Sequence, residues 1–215
     1  DIINRYIEIK QNKLKSLNEL IKSRFVEMFG DPISNNKNWR TDHLNNVCRV
    51  INGRAYKETE LLIQGKYRVL RVGNFFTNNN WYYSDLELPN DKYCVDGDLL
   101  FAWSASFGPK IWHGEKVIYH YHIWKLDDYQ NVLNKIFFME LLNHQVAILK
   151  NSTHGSTMQH LTKSDMESQT IILPPIELQN EFAFFVEQID KLKFNVQKEI
   201  KDLQELLDKK MQEYF

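Results

Sequence analysis

Leu17-Asn-Glu-Leu-Ile-Lys-Ser-Arg-Phe-Val-Glu-Met-Phe29 aligns without a gap on Leu203-Gln-Glu-Leu-Leu-Asp-Lys-Lys-Met-Gln-Glu-Tyr-Phe215. Leu, Glu, Leu, Glu and Phe recur at the same places, and Asn/Gln, Ile/Leu, Arg/Lys and Phe/Met are close exchanges. Both copies are helical by pattern. A chain that leaves its central region on the helix type by which it entered implies a larger object of alternating helices and domains. Internal repetition is weighed first because it decides the architecture. Two amphipathic Leu/Glu/Lys helices can also resemble each other through composition alone.

Outward from the first copy, Ile7, Leu14, Ile21 and Met28 recur every seven residues, and Ile3, Leu17, Leu20 and Phe25 widen the stripe. Gly30-Asp31-Pro32 then stops the helix, with Gly at the usual C-terminal position and Pro just beyond. Back from the second copy, Phe185, Ile189, Leu192, Val196, Ile200, Leu203, Leu207, Met211 and Tyr214 step by threes and fours with no Gly or Pro among them. This helix follows Pro174-Pro175. At about 1.5 Å per residue it projects roughly 50 Å. One small domain cannot cover such a stripe, so the helix needs a partner, and the N-terminal helix is the obvious candidate. Ile7, Leu14, Ile21, Ile189, Leu192, Val196, Leu203 and Leu207 are the residues expected to carry helix pairing and dimerisation.

The middle is mixed and strand-rich from Trp39 to about Leu173. Val117 to Leu126 alternates, with Val117, Tyr119, Tyr121 and Ile123 on one face and His120, His122 and Trp124 on the other, which predicts one strand. Gly97-Asp98 reads as a turn feeding a buried strand to Trp103. Asn131 to about Lys150 reads as an internal helix, and Thr170–Leu173 as a short strand. The expected fold is α+β: an N-terminal helix over 1–30, a strand-rich domain over 31–175, and a long C-terminal helix over 176–215. The two helices are expected to pack as an antiparallel coiled coil.

An apolar content of 43% and a charged content of 26% fit an ordinary globular chain. No apolar run reaches the roughly 18 residues that span a bilayer, and no signal peptide opens the sequence, so a cytoplasmic protein without a membrane partner is expected. Cys48 and Cys94 match no metal spacing and read as free thiols. The net charge of −1 hides an uneven distribution. Arg49, Arg54, Lys57, Lys66, Arg68 and Arg71 are opposed only by Glu58 and Glu60 in their stretch. No acid occurs from Leu141 to Ser164, whereas the helix from Ile176 is acidic. Two basic stretches imply a local basic face or a solvated cluster.

Catalytic chemistry is missing. Leu173-Pro-Pro-Ile176 lacks both functional ends of an amino-methyltransferase motif, the amide or carboxylate and the stacking aromatic. No Gly-rich loop is placed for a methyl donor. Asp98 with Glu115-Lys116 is a poor metal-binding carboxylate set. His120 and His122 have no further ligands spaced nearby and read as packing on a strand face. There is no P-loop or nucleophile elbow. No catalytic residue, metal or cofactor is expected.

Recognition chemistry is present. Base edges need paired donors and acceptors, and phosphates need cations, hydroxyls and backbone N–H groups. Asn151-Ser-Thr-His-Gly-Ser-Thr-Met-Gln-His160 holds nearly all of these in one acid-free loop, although a helix end followed by a capping box of Thr162 and Asp165 explains the same residues. Asn52-Gly-Arg-Ala-Tyr-Lys57, Asn74 and Trp103-Ser-Ala-Ser106 supply the same types.

Four pieces in order then resemble type I restriction-modification specificity subunits. They are Phe25-Val-Glu-Met-Phe-Gly-Asp-Pro32 with Trp39, Gly97-Asp-Leu-Leu100, His154-Gly-Ser-Thr-Met-Gln-His-Leu-Thr-Lys163, and Leu173-Pro-Pro-Ile-Glu-Leu-Gln-Asn-Glu-Phe182. A full subunit of that family has two target-recognition domains separated by conserved helices. This chain carries one, so it is either a half-size subunit that pairs with another or the second half of a longer protein. The resemblance implies a non-catalytic subunit that reads a half-site in double-stranded DNA, pairs as a homodimer through its helices, and docks modification (methyltransferase) and restriction subunits. The residues it points to for DNA are Asn52, Arg54, Lys57, Arg71, Asn74, Ser104, Ser106, His154, Ser156, Thr157, Gln159, His160 and Lys163. A coiled-coil adaptor whose central domain binds protein is the alternative, and steep salt dependence of DNA binding separates the two.

Overall fold

The computed structural model describes residues 2–76, 79–104, 108–152 and 162–214. In chain order the elements are α1 (Ile2–Phe29), β1 (Thr41–His43), α2 (Leu44–Val47), β2 (Arg49–Asn52), β3 (Tyr67–Leu70), α3 (Val72–Phe76), β4 (Tyr82–Ser84), β5 (Tyr93–Cys94), β6 (Leu99–Ala102) and β7 (Gly108–Ile111). They continue with β8 (Val117–Tyr119), β9 (Ile123–Asp127), α4 (Lys135–Ser152), α5 (Lys163–Glu167), β10 (Thr170–Ile172) and α6 (Ile176–Tyr214). The chain divides into two compact units, one of residues 1–31 with 175–215 and the other of residues 32–174.

In the first unit, α1 and α6 pack on each other. The pairing is antiparallel: Lys10 meets Glu199 in an ion pair, while Arg24 reaches Glu181 at 3.3 Å. Ile21, Phe25, Phe29, Phe182, Val186, Ile189 and Val196 are buried in the seam, as the heptad stripe requires. Phe182 stands edge-on to both Phe25 and Phe29, with ring centroids 5.6 and 5.5 Å away. Offset aromatic contacts of this kind add to the burial itself. Gly30 ends α1 in the left-handed region, with φ 76° and its N–H on the Val26 carbonyl at 2.8 Å, a backbone state that costs glycine little. The Pro175 carbonyl starts α6 by accepting from Leu178 and Gln179.

The second unit holds two four-stranded sheets, ordered β2-β9-β6-β7 and β4-β3-β8-β5, and a two-stranded β1-β10 pair. Its core lies between the larger sheets, where Leu70, Cys94, Val117 and Tyr119 of one meet Leu100, Ala102 and Ile123 of the other. A smaller cluster of Val69, Tyr93 and Ile118 with Tyr56 and Leu61 uses alternate residues of the same strands. The α4 helix packs on β7. Cys48 and Cys94 are free and buried, and burial pushes the Cys48 thiol up to about 12.

The expected single strand from Val117 to Leu126 is two strands. β8 belongs to one sheet and β9 to the other, and residues 120–122 turn between them, with the Ile123 N–H donating to the His120 carbonyl at 2.9 Å. Alternation passes through the break because Val117 and Tyr119 of β8 and Ile123 of β9 line the same core, although Ile118, Trp124 and Leu126 are buried as well. The internal helix starts at Lys135 rather than Asn131, because the Asn134 side chain caps it by accepting from Ile136 at 2.9 Å.

Candidate nucleic-acid interface

The turn at 120–122 is where distant segments meet. The Arg54 N–H donates to the Tyr119 carbonyl at 3.0 Å, and the Tyr121 N–H donates back to the Arg54 carbonyl at 3.0 Å. The His120 N–H donates to the Leu70 carbonyl at 2.9 Å, immediately before Arg71. The Trp103 N–H donates to the His122 carbonyl at 3.1 Å, and its indole N–H to the Tyr121 carbonyl at 2.8 Å. The stretches 52–57, 70–74 and 102–104 are thus gathered around one turn. None of these stretches, nor 119–123, contains an acidic residue.

Gly53 is what lets β2 pass over the turn. A Cβ there would lie 2.3 Å from the His120 carbonyl oxygen and 2.6 Å from that of Tyr119. Both obstacles are backbone and cannot swing aside.

The predicted cations differ in what occupies them. Arg54 forms a fork on the Glu60 carboxylate, with both N–H to O distances 2.8 Å, and lies over the Tyr56 ring. Those bonds, with one from the Lys57 N–H, pull the Glu60 carboxyl down to about 2. Arg71 has no ion pair among the described residues. It lies 4.2 Å from the Tyr82 ring centroid and donates to the Asn80 carbonyl at 3.2 Å. Lys57 is exposed, and its side chain has no carboxylate partner among the described residues. Asn74 holds the Asn80 carbonyl at 2.8 Å and takes the Arg71 Nε–H at 3.4 Å, so it frames Arg71. The Asn52 carbonyl accepts from Lys92 at 2.9 Å, and Ser104 is half-buried beside Trp103.

Lys163 is not brought to this cluster by any contact described. It sits in the first turn of α5, paired with Glu167 at 3.3 Å. The capping box is formed there: Asp165 N–H donates to Thr162 Oγ1 at 3.1 Å, and Thr162 N–H to Asp165 Oδ2 at 3.1 Å. Ser106, His154, Ser156, Thr157, Gln159 and His160 lie outside the described residues.

The sequence reading assigns His120 and His122 to packing and gives Tyr121 no role. In the structure the three form a cluster of mutually tilted rings, with His120 and His122 edge-on at 4.7 Å. Centroids are 4.5 Å apart for His120–Tyr121, 3.9 Å for Tyr121–His122 and 4.9 Å for His122–Trp103. Burial, then His122 and Arg71 beside it, pull the His120 imidazole down to about 4, so it is neutral near pH 7. The only signal in sequence is a run of ring residues, Tyr-His-Tyr-His, and a strand face presents the same pattern. Among the described residues no group of His, Cys, Asp and Glu could hold a metal ion, and no helix is long and apolar enough to cross a membrane.

Residues 36–205 match the family of the type I restriction modification DNA specificity domain. The chain belongs to this family. It is 22% identical over 178 residues to the EcoBI specificity subunit of Escherichia coli, covering 82% of this chain and 37% of that one. It is 27% identical over 119 residues to the MjaVIII specificity subunit of Methanocaldococcus jannaschii, covering 55% of this chain and 28% of that one. The fold is that of the HsdS subunit from Thermoanaerobacter tengcongensis, with a TM-score of 0.62 at 19% identity over 97% of this chain and 55% of that one. The S subunit from M. genitalium is similar, with a TM-score of 0.66 at 14% identity over 97% and 56%. This specificity-domain chain therefore spans well under half the length of those two curated relatives and just over half of these solved structures.

Proposed function

We propose that this chain is the DNA-reading subunit of a type I restriction-modification complex and recognises one half of a divided target. The observation that carries the reading is the gathering of 52–57, 70–74 and 102–104, stretches with no acid of their own, around the 120–122 turn in a member of the specificity-domain family. Arg71 and Lys57 are the cations that meet phosphate, since neither is ion-paired among the described residues. Arg54 is held by Glu60 and acts on DNA only if that pair opens. Asn52, Asn74 and Ser104 border the same surface. Lys163 is assigned to a second contact region, together with His154, Ser156, Thr157, Gln159 and His160.

The chain transfers no methyl group and cuts no strand; modification and restriction subunits dock on it for those steps. Its two long helices space the recognition unit from a second copy, and copies associate through Leu192 and the apolar residues left exposed beside it on α6, outside the seam that buries Ile21, Ile189 and Val196 within one chain. The test is binding of the purified chain, with its modification subunit, to a random-sequence duplex library across a salt series. DNA binding falls steeply with salt as counterions are released, and a defined sequence is enriched. Salt-insensitive binding without enrichment rejects the reading and favours a protein-binding adaptor.

A further inference from the structure

We infer that the His120–Tyr121–His122 turn is the base-contacting element of this interface, with Tyr121 touching base edges and the two imidazoles positioning it. This rests on the DNA-reading function proposed above. Tyr121 is 39% exposed at the apex of the turn, and its hydroxyl has no hydrogen-bond partner among the described residues. A phenol left facing solvent with both donor and acceptor capacity is suited to a base edge.

The apex is exposed but not loose. Its backbone is held by Arg54 on one side and by the Trp103 indole on the other, while Leu70 fixes the residue before it. The rings add a second brace. His122 touches both Tyr121 and Trp103, Tyr121 and Trp103 meet edge-on at 5.8 Å, and Trp103 stacks on the buried Trp124 with centroids 5.8 Å apart. His120 Nδ1 accepts weakly from the His122 N–H at 3.4 Å. A side chain held this way loses little freedom when it meets a ligand, which is what selective contact requires.

Charge separates the turn from its surroundings. It presents rings and a hydroxyl, and Arg71 is the cation beside it. The division of labour follows: Arg71 holds phosphate and carries salt dependence, whereas Tyr121 carries sequence preference.

The experiment compares wild type, Tyr121→Phe, Tyr121→Ala and Arg71→Ala, each as the full chain with its modification subunit. The probes are the duplex enriched from the random library and its single-base variants, measured across a salt series alongside thermal midpoints. Tyr121→Ala is expected to lose roughly ten- to hundredfold discrimination at one or two adjacent positions, with an unchanged salt slope. Tyr121→Phe loses the same discrimination if the hydroxyl makes the contact and keeps it if the ring does; the assignment stands in both cases. Arg71→Ala weakens all sequences alike and lowers the salt slope by about one. Discrimination retained at every position by Tyr121→Ala overturns the assignment, whether the midpoint falls or not. If the wild type itself shows no salt-steep, sequence-selective binding, the DNA reading fails first, and the turn assignment falls with it.

Discussion

Gly53 is the residue on which the geometry of the interface depends. Its N–H donates to the Ile123 carbonyl at 3.1 Å while its missing side chain leaves room for the His120 carbonyl. Gly53→Ala forces backbone apart on one side of the turn. The expected loss is about 1–3 kcal/mol by denaturant unfolding, the range for overpacking a site that cannot relax. A variant as stable as wild type would show that the two strands separate freely. Two titrating side chains close to this turn bear on acid stability. His120 folds with a value of about 4, below the ordinary imidazole value of about 6.5, because burial and the neighbouring His122 and Arg71 disfavour its charge. A lowered folded value means its contribution is complete above the unfolded value and is lost as pH falls from about 6.5 toward 4. Glu60 is depressed to about 2 by Arg54, so its contribution is complete above the ordinary carboxylate range and fades only as pH drops toward 2. His120→Gln should therefore flatten the stability profile between pH 6.5 and 4 and leave the more acidic limb in place. An unchanged profile in that window would mean the imidazole charges without penalty.

Phe182 is the side chain on which α1 and α6 depend most visibly. It is fully buried, edge-on to Phe25 and Phe29, and Phe25 and Phe29 touch each other at 5.1 Å. Phe182→Ala is expected to cost about 3–5 kcal/mol, read from the unfolding midpoint in urea. Leu192, on the same helix but 48% exposed, should change stability by less than about 0.5 kcal/mol when cut to Ala. Equal costs for the two would mean the seam is not where the rings place it. These helices are legible in the sequence because a stripe repeated over 28 and 39 residues outweighs any local accident, and because Gly30 and Pro175 mark their ends. The capping box of Thr162 and Asp165 is legible for the same reason: its bonds are local. The turn between β8 and β9 is not. His120, Tyr121 and His122 include no Gly, Pro, Asn or Asp, and the bonds that hold the turn come from Arg54, Leu70 and Trp103, far away in sequence. The candidate site is legible to the same extent. Residue types identify Arg71 and Lys57, but the fork of Arg54 on Glu60, six residues apart, depends on where the chain turns after Lys57.

Association of whole chains is constrained by how α1 and α6 use their apolar residues. Ile21, Ile189 and Val196 are buried within one chain, and Ile7, Leu14, Leu203 and Leu207 are half-buried. Residues already buried in a seam are not free to bind a second copy. What remains exposed on α6 is Phe184 at 64%, Leu192 at 48% and Phe194 at 67%, with Leu206 and Met211 further along. Large apolar side chains left in water on one helix favour a partner. The proposed self-association is therefore assigned to Leu192 and Phe194, not the inner stripe, and the two sets make opposite forecasts. Charging the outer pair, Leu192→Glu with Phe194→Glu, should leave the unfolding midpoint close to wild type and shift sedimentation at micromolar concentration from dimer to monomer. Charging Ile189 or Val196 should instead unfold the helix pair, because a carboxylate cannot be buried there without a partner. If the outer pair can be charged with no change in a dimer, the copies meet elsewhere. If the wild type sediments as a monomer across the concentration range, alone and with the proposed modification subunit, the exposed phenylalanines serve no second copy and the proposed spacer role of the helices has to be carried by one chain.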